Sequence, residues 1–102
     1  MNKHDIIATL RAHEPELRAA GVSSLSLVGS MVRGGHRNDS DIDVLVRMDA
    51  QSTGSGFAYF GRIDALTHRL EAILKRAVDI ITEPVYKERL RREVDRDRTV
   101  AF

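Results

Sequence analysis

The sequence contains no cysteine. That absence excludes disulfides and thiolate zinc sites, and it suits a reducing compartment. No run of apolar residues approaches the length of a membrane span. The opening "MNKHDIIATLRAHEPEL" has no apolar core of the kind a secretory signal carries. Charge of one sign is also lacking: the formal net charge is +1, so total charge implies neither a nucleic-acid partner nor a membrane surface. What is present is ordinary for a globular protein, with 42% hydrophobic and 30% charged residues. A chain of 102 residues is expected to form one domain, 1–102, in the cytoplasm.

No internal repeat is visible. Ile6, Ile7, Leu10 and Leu17 recur at roughly helical spacing. Pro15 is expected to break that helix or to start a new short turn, and Gly21 to end it. "VSSLSLVGS" alternates imperfectly through Val22, Leu25, Leu27 and Val28, and reads as a short strand ending at Gly29. "IDVLVRM" is a nearly continuous apolar run, which suits a strand covered on both faces. After the loop "QSTGSG", Ile63, Leu66, Leu70, Ile73 and Leu74 share one helix face, with Gly61 weakening the first turn. "AVDIIT" predicts a third strand, and a charged helix is expected from Glu83 onward, with Pro84 in its first turn. The order predicts an α/β fold (α+β), a small sheet packed against helices.

The stretch "GSMVRGGHRNDSDID" carries the chemistry. Side chains at i and i+2 of a strand share a face, so Asp41 and Asp43 project together. Two ionised carboxylates that close repel, and one takes up a proton unless a cation lies between them. Paired oxygen ligands favour Mg²⁺, which also bridges phosphates. Asp79 lies in the third strand with parity opposite to Val78 and Ile80, which read as core-facing. If that strand pairs beside the Asp41 strand, all three carboxylates converge, an arrangement able to hold two metal ions for in-line phosphoryl displacement. Gly29 and Ser30 offer the other half: a strand turning at glycine into a helix start presents free N–H groups to an anion. Ser30 can donate its hydroxyl to a phosphate oxygen, and Arg33 can neutralise phosphate or hold the loop through a carboxylate.

Each piece alone has a plain structural reading. A lone D-x-D is usually a solvated strand end, a lone Gly-Ser a turn, and a lone aspartate such as Asp79 a surface or capping residue. His4, His13, His36 and His68 are scattered and read as surface residues. Phe57, Tyr59 and Phe60 suit a cover of core aromatics better than a base-stacking platform. "RLRREVDRDR" reads as a solvated helix, with Leu90 and Val94 as its apolar strip.

Taken together, "GSMVRG", then "SDID", then "VDI" resemble the minimal nucleotidyltransferase (MNT) group of the DNA polymerase β-like nucleotidyltransferase superfamily. That pattern falls on Gly29, Ser30, Arg33 and Gly34, then Ser40, Asp41 and Asp43, then Asp79. Val32 stands where many relatives have alanine, and "LKRAVDI" has lysine where a glycine is common before the third strand. The resemblance implies a mixed-sheet nucleotidyltransferase fold, two Mg²⁺ on Asp41, Asp43 and Asp79, and ATP held by Gly29 and Ser30 with Arg33 and Ser40. It further implies a HEPN RNase toxin as partner, with AMP transferred to a tyrosine of that toxin. Two other readings differ in kind: an antitoxin that neutralises by covering its partner, and a sensor that binds nucleotide without transfer.

Overall fold

The computed structural model describes residues 2–29, 32, 41–49 and 57–102, the side chains of Phe57 and Ala58 excepted. The chain opens with α1 (Lys3–Ala12). Its start is fixed by a capping box: Asn2 Oδ1 accepts from the Asp5 N–H at 2.9 Å, and the Asp5 carboxylate accepts from the Asn2 N–H at 3.3 Å. Pro15 begins a second helix, α2 (Glu14–Ala19), because its fixed φ suits a first turn and it has no N–H to lose there. Gly21, at φ 104, then turns the chain into β1 (Val22–Val28).

β1 runs antiparallel to β2 (Ile42–Met48) on one side. On its other side it pairs with β4 (Thr99–Val100), also antiparallel. β3 (Val78–Thr82) lies parallel to β2 at the opposite edge, giving the order β3-β2-β1-β4. The parallel step needs a crossover, supplied by α3 (Phe57–Leu74). The last helix, α4 (Glu88–Asp97), precedes β4. The fold is a small mixed sheet with helices, as the periodicities predict. None of the described helices is long and apolar enough to cross a membrane.

The two faces of the sheet are covered unequally. One face carries Leu25, Leu27, Ile42, Val44, Val46 and Val78, buried against Ile6, Leu10 and Leu17 of α1 and α2 and Leu66, Leu70 and Leu74 of α3. Val22 joins this core out of phase with Leu25, because the β1–β2 register shifts between Val22 and Ser24. That bulge is the reason for the imperfect alternation in the sequence. The other face has a smaller cluster, Val28 and Leu45 with Ile81, covered by Leu90 and Val94 of α4.

Three details differ from the sequence reading. The final helix begins at Glu88, not at Glu83. Residues before proline avoid the helical region, and Glu83 instead extends the strand ladder, its N–H donating to the Val46 carbonyl at 2.9 Å. The Glu83–Pro84 bond is cis. β4 was not expected at all; its end is tied down by Arg11, whose Nε donates to the Ala101 carbonyl at 2.7 Å. Gly61 sits within α3 with nothing near the position of a side chain, so it costs the helix only propensity.

Lys75 adopts φ 57 immediately after α3. It does the work of a left-handed helix terminator with a Cβ in the way. Lys75→Gly is therefore expected to stabilise the protein by about 0.5–1 kcal/mol, the relief of that clash less the added freedom of the unfolded chain. The shift of the denaturant midpoint measures it.

Candidate active site

The three aspartates singled out by the sequence come to one end of the sheet. In the parallel β2–β3 ladder, Asp43 is the register partner of Asp79, one step from the Ile42–Val78 pair. Val78 and Ile80 turn toward the α1–α3 core, so Asp79 faces the α4 side, as Asp43 does. Asp41, two residues before Asp43, shares that face, and its charge acts on the Asp79 carboxyl. Asp41 and Asp79 are exposed, and Asp43 is half-buried.

Partial desolvation, then the charge of Asp41, then the charge of Glu71, together hold the Asp79 carboxyl above its ordinary value. Glu71 is fixed nearby because its carboxylate accepts from the Val78 N–H at 3.1 Å. Among the described residues, no three Asp, Glu, His or Cys side chains form a preassembled metal cage. The donor chemistry nevertheless fits a hard divalent cation: oxygen ligands alone, with mutual repulsion that a cation relieves.

β1 ends against this cluster. Val28 is the register partner of Asp43, and Gly29 follows at φ 80. A Cβ built on Gly29 would stand 2.5 Å from Asp43 Oδ2 and 3.3 Å from its Cβ. Glycine is thus required twice, for the backbone conformation and for the approach of Asp43. The Val32 N–H donates to the Gly29 carbonyl at 3.1 Å, closing the turn that leaves the strand. Ser30, Arg33, Gly34 and Ser40, the other residues expected at the site, lie outside the described residues, as does His36.

Sequence reasoning did not single out Glu71, Glu93 and Asp97. Glu93 and Asp97, four apart on α4, line a cavity with Gly29 and Asp43. Their spacing was visible as one helix face, but the sequence offered no sign that this face covers the acidic end of the sheet. Of the aromatics, Tyr59 packs on the core and meets Phe60 edge-on, with ring centroids 6.0 Å apart, while Phe60 itself is exposed.

The model of the nucleotidyltransferase domain family matches residues 10–101. The protein adenylyltransferase MntA of Thermococcus cleftensis is 34% identical over 94 residues, covering 91% of this chain and 89% of its own length. A solved structure assigned as a minimal nucleotidyltransferase superposes with a TM-score of 0.74 at 29% identity, over 97% of this chain and 95% of that one. A complex of the tri-AMPylated Shewanella oneidensis HEPN toxin with its MNT antitoxin has the same fold, at a TM-score of 0.60 and 17% identity. That match covers 94% of this chain and 71% of the other.

Two outcomes are expected from this geometry. Gly29→Ala should lose roughly 1–3 kcal/mol of stability, because the new Cβ adds a left-handed strain and displaces the Asp43 carboxylate. Chemical denaturation reads the loss. Asp79→Asn should raise the melting temperature in metal-free buffer at neutral pH. The wild-type carboxyl is held above its unfolded value, so its favourable contribution is complete at low pH and is lost as pH rises through the folded value. The difference between variant and wild type should accordingly shrink as pH falls into the carboxylate range, which melting curves at stepped pH will follow.

Proposed function

The chain belongs to the nucleotidyltransferase domain family and is a nucleotidyltransferase; from that premise we propose that it is a Mg²⁺-dependent protein adenylyltransferase that moves AMP from ATP to a tyrosine of a HEPN toxin, and so acts as its antitoxin. The observation carrying the reading is the in-register pairing of Asp43 with Asp79, with Asp41 on the same face of the strand and Gly29 packed on Asp43. The homology to an MntA adenylyltransferase supports the transferred group, and the AMPylated HEPN complex with the same fold supports the kind of acceptor.

In this reading Gly29 and Ser30 take the triphosphate through backbone N–H groups and a hydroxyl, with Arg33 and Ser40 supporting the phosphates. Asp41, Asp43 and Asp79 hold Mg²⁺, which when bound neutralises phosphate charge and lowers the pKa of an oxygen beside it. The acceptor phenol oxygen attacks the α-phosphorus, the bond from that phosphorus to the β-bridging oxygen breaks, and pyrophosphate leaves. The phenolic proton passes to Asp79 or to water. The product is an AMP–tyrosine phosphodiester whose bulk and charge disable the toxin.

The test is to incubate the protein, ATP and Mg²⁺ with its HEPN partner and to measure intact mass. An adenylyl increment on the partner is expected, absent with Asp79→Ala. A partner neutralised without any mass change, and equally well by Asp79→Ala, would replace transfer with neutralisation by covering.

A further inference from the structure

A second cavity, of about 340 Å³, opens on the α4 side of the sheet, toward the other end of β2 from the carboxylates. Asp43, Leu45 and Arg47 alternate onto that side, which puts Arg47 about 13 Å along the strand from Asp43. The apolar lining includes Leu45, Val85 and Val94. Five charged side chains complete it, Arg47, Arg91 and Arg98 against Glu83 and Asp95. Glu83 organises the arginines. Its carboxylate, only 9% exposed, accepts from a terminal nitrogen of Arg47 and from one of Arg98, both at 2.8 Å. Arg98 Nε also donates to the Ser26 hydroxyl at 3.2 Å. A guanidinium has five N–H donors, so neither arginine is saturated by these bonds. Arg91 is exposed, and its side chain makes no hydrogen bond or ion pair among the described residues.

The chemistry of the cavity selects the occupant. Three cations against two anions leave one positive charge in excess, which a single carboxylate balances. A nucleic-acid strand, charged at every phosphate, would face Glu83 and Asp95 as well. Guanidiniums held in place beforehand match a carboxylate fork and lose little freedom on binding it. Tyr86 borders the cavity yet is 88% exposed, so a small ligand inside would leave its ring bare. Tyrosine and arginine together are the side chains that anchor protein–protein contacts. We infer that this cavity docks an acidic segment of the acceptor protein, a carboxylate entering among Arg47, Arg91 and Arg98 while Tyr86 packs on the surface around it. The inference rests on the reading of the chain as a protein adenylyltransferase. A hold at this end of β2 positions the acceptor while leaving the carboxylate end free for its hydroxyl, so binding and chemistry fall to different residues.

The experiment takes the HEPN protein of the transfer assay as probe and reads binding apart from transfer. Calorimetry without nucleotide measures its affinity for wild type, Arg91→Glu, Arg91→Lys and Tyr86→Ala. Both positions are exposed, so the melting temperature should stay unchanged in all three variants. Arg91→Glu is expected to weaken binding roughly ten- to hundred-fold, a charged hydrogen bond lost and a repulsion gained. Tyr86→Ala should weaken it on the order of tenfold. Arg91→Lys, which keeps the charge and loses the fork, should weaken it less than Arg91→Glu. Added salt should weaken wild type more steeply than Arg91→Glu. Equal affinity in wild type, Arg91→Glu and Tyr86→Ala overturns the docking site, as does a wild type that does not bind the probe. A single-stranded RNA oligonucleotide that binds wild type and is lost in Arg91→Glu, with affinity for the HEPN protein unchanged, would reassign the patch to nucleic acid. Transfer is scored separately: docking that depends on Arg91 in a protein that transfers nothing removes the proposed activity and keeps the docking site, and transfer with docking indifferent to Arg91 and Tyr86 does the reverse.

Discussion

The parallel pairing of β2 with β3 is the constraint on which the rest of this structure depends. It sets Asp43 beside Asp79 with no freedom of register, because a slip of one residue would send Val78 and Ile80 out of the core and Asp79 into it. It also demands a crossover, and α3 answers with Leu66, Leu70 and Leu74. The core on that face and the carboxylates on the other are therefore two results of one alignment. Hydrophobic burial holds in place a set of like charges that would otherwise separate.

The faces divide the tasks. Where α1, α2 and α3 pack, the sheet is apolar and closed, and the charged residues stay at the rim. Where α4 packs, one helix covers only part of the face, and its Leu90 and Val94 meet three sheet residues. The acidic end lies next to that partial cover. Under the proposed function the site admits a triphosphate and a second protein, which calls for an uncovered region of this kind on a rigid support.

Much of this was legible in the sequence because it follows from local periods. Alternation put Asp41 and Asp43 together, the parity of Asp79 against Val78 and Ile80 put it on the same face, and the 3.6-residue spacing from Ile63 to Leu74 marked α3. Other features had no period to read. β4 is two residues long, too short for alternation, and exists because Ser26 and Leu27 offer it a free edge. Pro84 suits a helix start as well as a turn, and only the ladder bond from Glu83 to Val46 decides between them. Lys75 in a left-handed conformation contradicts its own preference, so only tertiary context explains it. The place of Glu93 and Asp97 is a matter of how α4 docks across the sheet, which no stretch of the chain encodes by itself.

The buried carboxylate of Glu83 accepts from Arg47 and from Arg98, both at 2.8 Å. Arg98 also reaches the Ser26 hydroxyl at 3.2 Å, and at the next residue the chain enters the sheet as β4. The segment containing α4 is thus moored at each end to the same sheet. If the helix lifted, the freed chain would remain a short closed loop, and a closed loop gains far less entropy than a free tail of equal length. Its few apolar contacts consequently hold better than their area suggests. Undocking of α4 should be rarer than fraying of an ordinary terminal helix, and the wall it gives the cavity is correspondingly constant in time.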